Sequence, residues 1–170
     1  MAIRWQRQNE NAPTSGSEGT KVLKEIAIRP VRTDERAAWE VLWKGYQTFY
    51  EVALSEEVTA TTWARLHDPR EPMFLLGAYV DGTLAGIVHY LFHRSCWTVA
   101  DYCYLQDLFV AETARTLGLG RKLIEAVERE ARAAGASRVY WLTKEDNTTA
   151  RKLYDRVAER SGFIQYRKLF

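Results

Sequence analysis

A short turn that contains two glycines is the part of the sequence best suited to bind an anion. The apolar run before it ends at Val110 and predicts a buried strand, while the residues after Gly118 have helical periodicity. Unpaired N–H groups and the helix dipole attract negative charge at such a helix start, and glycine lets phosphate oxygens approach the backbone. The junction therefore predicts a site for a phosphorylated ligand.

The spacing of these glycines distinguishes between types of nucleotide site. A dinucleotide fingerprint requires a third glycine where Leu123 stands, and the Gly-Lys-Ser/Thr end of a P-loop is absent from the turn. Gly118 and Gly120 alone are more often found where a helix packs closely on a strand. Plain helix packing is therefore the alternative interpretation of this turn.

Asn147 and Tyr154 form a second pair of polar residues with a useful spacing. If both are helical, they lie two turns and about 10.5 Å apart on one face, which can contact two parts of an extended ligand. A phenol can also share its proton with a thiolate. As alternatives, Asn147 is a suitable helix N-cap and Tyr154 is a suitable core residue.

Hydrophobic periodicity and turn residues predict the elements that must position these side chains. Two apolar runs joined at Asp81-Gly82 indicate a tight hairpin. The stretch from Tyr102 to Thr143 predicts a strand–helix–strand unit with parallel strands and a right-handed crossover. The predicted strands are 26–31, 73–80, 83–92, 102–110, 138–143 and 163–169, and the predicted helices include residues 39–46, 55–66, 119–134 and 148–158.

Length and composition indicate one ordinary globular domain. The chain has 170 residues, 46% hydrophobic and 27% charged, and no apolar run approaches the roughly 20 residues that a membrane-spanning helix needs. We expect residues 1–24 to form a flexible leader and residues 25–170 a single domain, located in the cytoplasm. Acidic and basic side chains are equal in number over 25–170, which argues against a nucleic-acid partner.

Several motifs together resemble the GNAT superfamily of N-acetyltransferases. The R-x-x-G-x-G pattern of residues 115–120 is similar to its pyrophosphate motif, and the Asn147 and Tyr154 pair resembles its N-x₆-Y helix. YLQDLFV at 104–110 is similar to a strand of polyamine-acetylating members, and LYDRVAERSGFIQY at 153–166 resembles histone-type and amino-acid acetyltransferases. The resemblance implies an α/β (α+β) fold, with a mixed, mostly antiparallel sheet, a splayed parallel strand pair and about four flanking helices.

The resemblance also implies how acetyl-CoA is bound. Backbone N–H groups of the turn hold its pyrophosphate, the edge of the strand at Leu108 and Val110 pairs with its pantetheine arm, and the Leu108 N–H polarises the acetyl carbonyl. Tyr154 protonates the departing thiolate, so Leu108 and Tyr154 are the catalytic candidates. The candidate cofactor-binding residues are Leu108, Phe109, Val110, Arg115, Thr116, Leu117, Gly118, Leu119, Gly120, Arg121, Asn147 and Tyr154.

The acceptor is expected to be a primary amine of a small amine, polyamine, amino acid or protein lysine. Polyamine-acetylating relatives have glutamate where Gln106 stands, and Gln cannot act as a base. Strand alternation places the adjacent Asp107 on the opposite face, where it is better suited to anchor a turn, an interface or a cation than to be the base. The candidate acceptor residues are Tyr50, Glu51, His89, Gln106 and Asp107, with Glu56 a further possible base. No metal site is predicted.

The end of the sequence suggests self-association. Family members commonly close with a two-strand hairpin, whereas only residues 163–170 follow Gly162 here, so one sheet edge is left open. A homodimer with exchanged C-terminal strands would cover that edge. Two other functions stay open at this point, a non-catalytic CoA-binding module of the same fold and an unrelated nucleotide-binding protein.

Overall fold

A tight hairpin forms the centre of the sheet, as its turn sequence predicts. In the computed structural model, which describes residues 24–170, β2 (Met73–Val80) and β3 (Thr83–His93) pair antiparallel. Asp81 and Gly82 join them with φ values of 48° and 79°. Two successive positive φ values match the twist of the paired strands, which explains why Asp-Gly occupies the turn. The expected leader at 1–24 lies outside the described residues, apart from Lys24.

The other three strands complete a mixed sheet of order β1-β2-β3-β4-β5. β1 (Ile26–Pro30) is antiparallel to β2, and β4 (Tyr102–Val110) is antiparallel to β3. β5 (Arg138–Tyr140) runs parallel to β4. This arrangement confirms the expected mostly antiparallel sheet with one parallel strand pair.

The parallel pair is short, and this opens the sheet. Pairing starts at Tyr102 with Arg138 and stops at Tyr104 with Tyr140, so β5 covers only three residues. The predicted strand 138–143 therefore ends three residues early, while β4 continues to Val110. The second half of β4 faces a gap on the side where β5 has diverged.

Four helices cover the two faces of the sheet, as the amphipathic patterns predict. α1 (Arg36–Phe49) and α2 (Glu56–Leu66) bury Trp39, Trp43 and Trp63 against one face. α3 (Leu119–Ala133) buries an apolar stripe against the other face, where α4 (Thr148–Val157) also packs. No helix within residues 24–170 is both long and apolar enough to cross a membrane.

The predicted strand at 163–169 is wrong for the single chain. No helix or strand follows Val157, and residues 159–170 are all exposed. The alternation of apolar residues that predicted a strand is present, but a strand also needs a partner edge for its backbone hydrogen bonds. Within residues 24–170, no strand pairs with residues 163–169.

Gly77→Ala tests the close packing of β2. An added Cβ would lie 2.5 Å from Leu84, 2.8 Å from Val31 and 2.9 Å from Tyr79. Rotation of any one of these side chains would therefore leave the other two contacts too close. Overpacking of this kind costs about 1–3 kcal/mol, and we expect a lower midpoint in urea unfolding. Gly45→Ala is the matched control, because its Cβ would meet only the ring of Phe109, which can tilt, and alanine favours the helix. Equal losses in both variants would contradict this explanation.

Candidate active site

A bulge in β4 decides which side chains face the cavity under α1. His89 on β3 pairs with Asp107, but the next residue, Tyr90, pairs with Leu105, so Gln106 is an extra residue. A bulge interrupts the alternation of side chains along a strand. Gln106 and Asp107 consequently line the same cavity of about 160 Å³. The prediction that alternation places Asp107 on the face opposite Gln106 is wrong for this reason.

Asp107 is a nearly buried carboxylate that lies beside a histidine and a tyrosine. Its side chain is 12% exposed, and the His89 Nδ1 lies 3.1 Å from its Oδ2. The Tyr46 hydroxyl lies beside it, and burial, then the charge of Asp107, raise the pKa of Tyr46, which stays protonated. Within residues 24–170, no lysine or arginine forms an ion pair with this carboxylate.

His89 lies beneath Asp107 in the core and is only 4% exposed. Its second ring nitrogen, Nε2, lies 2.9 Å from the indole Nε1 of Trp39 on α1. Both nitrogens are therefore occupied by protein partners. Sequence reasoning missed Trp39, because an aromatic residue in a helical stripe predicts core packing and gives no sign that its N–H meets a histidine.

The glycine turn has the structure that an anion site requires. After a 3₁₀ turn at Glu112–Leu117, Gly118 adopts φ 71° and α3 begins at Leu119. The first hydrogen bond of α3 runs from the Lys122 N–H to the Gly118 carbonyl at 3.2 Å, so three N–H groups precede it. These groups belong to Leu119, Gly120 and Arg121. Unpaired N–H groups at a helix start fit a pyrophosphate.

The arginines of the turn are exposed, and each forms an ion pair with a glutamate on the surface. Arg115 lies 3.0 Å from Glu112, and Arg121 lies 2.9 Å from Glu125. Exposed pairs of this kind contribute about 0–1 kcal/mol, so either guanidinium can exchange its partner for a phosphate at little cost.

Asn147 caps α4 and does not lie within its helical turns. Its Oδ1 accepts a hydrogen bond from the Ala150 N–H at 3.3 Å, and its Nδ2 donates to Thr143 Oγ1 at 3.2 Å. Tyr154 lies further along α4, half-buried, with its ring packed edge-on against Trp141 at 5.4 Å. Burial raises the pKa of Tyr154 to about 12, so the hydroxyl keeps its proton over the physiological range.

Tyr50 connects the two sides of the site. It caps the end of α1, packs against Tyr46 at 4.8 Å, and its hydroxyl faces the side chains of Thr143 and Asn147. Its position is close enough for charge interactions with both Asp107 and Tyr154. The cavity under α1 and the gap are adjacent through β4, because Asp107 lines the cavity and the next residue, Leu108, lies beyond the end of the β5 pairing.

The two glutamates considered as bases lie away from this centre. Glu51 is exposed in the turn after α1, at φ 56°. Glu56 is exposed at the start of α2 and forms an ion pair with Arg36 at 2.9 Å. Within the described part of the chain, no group of three or more His, Cys, Asp and Glu side chains is placed to hold a metal.

Comparison with known proteins identifies the family. Residues 36–158 match the sequence profile of the acetyltransferase (GNAT) family. The chain belongs to this family. It is 36% identical over 157 residues to the D-amino-acid N-acetyltransferase HPA3 of Saccharomyces cerevisiae, covering 91% of this chain and 98% of that protein. The protein is accordingly an acyltransferase of the GNAT type.

Solved structures of GNAT acetyltransferases share the fold. The aminoglycoside acetyltransferase AAC(6')-Iy, in complex with the bisubstrate analogue CoA-S-monomethyl-acetylneamine, superposes with a TM-score of 0.74 at 19% identity, covering 86% of this chain and 99% of that one. Ribosomal-protein-alanine N-acetyltransferase from Brucella melitensis gives 0.72 at 20% identity, with coverages of 86% and 99%. These acceptors differ, so the shared fold does not specify which amine this acetyltransferase uses.

Tyr154→Phe tests the acid role expected of this residue. Removing the hydroxyl should lower kcat by about 100-fold, the low end for general acid catalysis, with little change in acetyl-CoA affinity. Steady-state kinetics and calorimetric titration of acetyl-CoA measure the two quantities. Tyr102→Phe, an equally small change on β4 outside the site, should keep kcat. An unchanged kcat in Tyr154→Phe would exclude the acid role.

Proposed function

We propose that the protein transfers the acetyl group of acetyl-CoA directly to the primary amine of a small cationic acceptor. The supporting observation is Asp107, a carboxylate that is 12% exposed and has no lysine or arginine partner within residues 24–170. A nearly buried charge is costly unless an opposite charge accompanies it. The ammonium group of the acceptor supplies that charge in the cavity of about 160 Å³ beside Asp107.

The acetyl-CoA half of the proposal rests on the glycine turn and the gap. The unpaired N–H groups at the start of α3 hold the pyrophosphate, and the free side of β4 at Leu108 and Val110 takes the pantetheine arm. The Leu108 N–H polarises the acetyl carbonyl.

Direct transfer removes two protons from the amine and supplies one to the sulfur. The acceptor ammonium, whose pKa is about 10.4, loses a first proton to water and attacks the acetyl carbon as a neutral amine. The new C–N bond forms, the C–S bond breaks, and Tyr154 donates its proton to the CoA thiolate. The nitrogen of the adduct loses its second proton to solvent, and solvent returns a proton to Tyr154, so the products are the amide, the CoA thiol and one free proton. Asp107 acts in this scheme as the anchor that brings the ammonium to the gap.

Free amino acids are the first acceptors to test. The yeast relative is named for acetylating D-amino acids, and this chain covers 98% of its length. A panel of D- and L-amino acids, polyamines and a lysine peptide, with release of free CoA thiol as the readout, ranks the acceptor classes. Thermal stabilisation by acetyl-CoA without thiol release for any amine would favour a non-catalytic CoA-binding module instead.

Asp107→Asn tests the amine anchor. The amide keeps the shape of the side chain but loses its charge, and truncating a buried charge pair costs about 2 kcal/mol or more. We expect the KM for the amine to rise at least about 30-fold, with acetyl-CoA affinity unchanged. Glu56→Gln, which neutralises an exposed carboxylate on α2, is the control. An unchanged amine KM in Asp107→Asn would overturn the proposed role.

We also propose a homodimer in which residues 159–170 of each copy cover the β5 edge of the other. The segment exposes Phe163, Ile164, Tyr166 and Leu169 to solvent. β5 is the last strand of the sheet, and beside it lies a groove of about 230 Å³ between α3 and α4, lined by Ile124, Val139, Trp141 and Val157 among others. An open sheet edge and an unpaired apolar segment are complementary, and exchange between two copies satisfies both symmetrically.

Light scattering measures this association. The intact chain should show about twice its 19.6 kDa mass at micromolar concentration. Ile164→Asp, which places a charge in the apolar row, should shift the protein towards monomer. Lys168→Ala, in the same exposed segment, should leave the mass unchanged. A monomeric intact chain would contradict the proposed dimer.

Cysteine usage supports a cytoplasmic location, which we include in the proposal. Cys96 is exposed and Cys103 is buried, and neither forms a disulfide. Burial raises the pKa of the Cys103 thiol to about 11, so it is unreactive. Free exposed thiols such as Cys96 persist in reducing compartments.

A further inference from the structure

We infer that Trp39 and His89 are a positioning pair. His89 holds Asp107 in place, and Trp39 keeps His89 from binding a second proton that would neutralise the charge of Asp107. The inference rests on the proposed role of Asp107 as the amine anchor. Neither residue needs to touch the acceptor, since both act through the carboxylate. The pair would therefore determine how strongly this acetyltransferase binds a cationic amine, and over which pH range.

The donor and acceptor types assign the histidine proton. An indole Nε1–H can only donate a hydrogen bond, and that of Trp39 lies 2.9 Å from His89 Nε2. Nε2 must therefore be the unprotonated acceptor. The ring proton is then on Nδ1, which lies 3.1 Å from Asp107 Oδ2 and donates to it. Trp39 thus selects the one neutral tautomer that can hold Asp107.

The same contact opposes a second proton on His89. A histidine beside a carboxylate usually gains a proton readily, because the opposite charge favours the imidazolium. Here a proton on Nε2 would meet the Trp39 N–H head to head, in a core where Trp39 is 0% and His89 4% exposed. The imidazolium would lose a hydrogen bond and remain without water to replace it.

The other groups around His89 add no second charge. From α1, the ring of Trp43 lies 5.1 Å away between centroids, and the Tyr46 hydroxyl lies beside Asp107. From β2, the cross-strand partner is the apolar Leu75. Asp107 on β4 is therefore the only charged side chain that contacts His89 within the described residues. With a neutral His89, the His89–Asp107 pair carries a net charge of −1, which the acceptor ammonium balances.

Only one tryptophan of α1 has this role. The indole N–H of Trp43, one turn after Trp39, is buried and has no hydrogen-bond partner within residues 24–170. Trp63 on α2 packs against Trp39 at 4.9 Å between ring centroids and is not bonded to His89. The core is rich in indole rings, but a single N–H reaches the histidine.

Trp39→Phe removes the N–H while leaving an aromatic ring. His89 can then bind a second proton and pair with Asp107, so the acceptor loses its partner as the pH falls. We expect the amine KM of the variant to be about tenfold higher at pH 6 than at pH 8.5, with the KM for acetyl-CoA unchanged. With an alkylamine acceptor, whose pKa is about 10.4, the wild-type amine KM should change less than about twofold, because this acceptor stays an ammonium over the range.

Trp63→Phe is the matched control. It makes the same change from indole to phenyl in the same core but leaves the hydrogen bond from Trp39 to His89 intact. It should lower thermal stability and leave the pH dependence of the amine KM as in the wild type. In the wild-type protein, long-range ¹H–¹⁵N spectra should show His89 as the Nδ1–H tautomer from pH 5.5 to 8.5. That measurement decides the question if Trp39→Phe does not fold.

A wild-type His89 that titrates in this range, or that carries its proton on Nε2, would overturn the inference. So would a Trp39→Phe variant whose amine KM is raised equally at every pH, the result expected of a purely structural change. Failure of the proposed function has a different signature, an amine KM that Asp107→Asn leaves unchanged.

Discussion

Strand β4 is hydrogen-bonded to β3 along its length but to β5 for only three residues, and the site depends on this difference. Where β5 diverges, the backbone of β4 between Leu105 and Val110 is left free on one side, next to the start of α3. A sheet that stayed fully paired would satisfy those backbone groups and leave no room for an extended cosubstrate. The gap is the place where we propose that the pantetheine arm of acetyl-CoA pairs with β4.

The bulge at Gln106 lies in the same half of β4. It determines which side chains of β4 face the cavity under α1. One extra residue turns Asp107 towards α1, where the His89 ring and the Tyr46 hydroxyl lie beside it. The proposed acceptor cavity and the gap then meet along β4, where Asp107 lines the cavity and Leu108 lies beyond the end of the β5 pairing. Within residues 24–170 no lysine or arginine pairs with Asp107, and this carboxylate next to the gap is the electrostatic basis of the proposed amine acetylation.

The apolar residues of the chain serve two purposes. Those on α1, α2 and α3 pack both faces of the sheet, and the indole rings also supply polar N–H groups inside the core. Among the described residues, the apolar side chains after Val157 have no such partner, and no strand pairs with the outer edge of β5. The fold therefore leaves one apolar segment and one sheet edge of matching character on its surface.

The sequence by itself determined the features that depend on neighbouring residues. The Asp81-Gly82 hairpin, the helix start at Leu119 and the strand–helix–strand unit follow from turn chemistry and from the period of apolar residues, and the structure confirms them. Short sequence motifs, above all the glycine turn at 115–120 and the Asn147 and Tyr154 pair, were sufficient to recognise the family.

Only the tertiary structure decided the details that depend on distant partners. The register of β3 against β4 creates the bulge, so local alternation placed Asp107 on the wrong face. The Trp39 N–H meets His89 across 50 residues of sequence, and no local pattern encodes that contact. The C-terminal alternation predicted a strand that the single chain does not form, because a strand exists only where another edge accepts its hydrogen bonds.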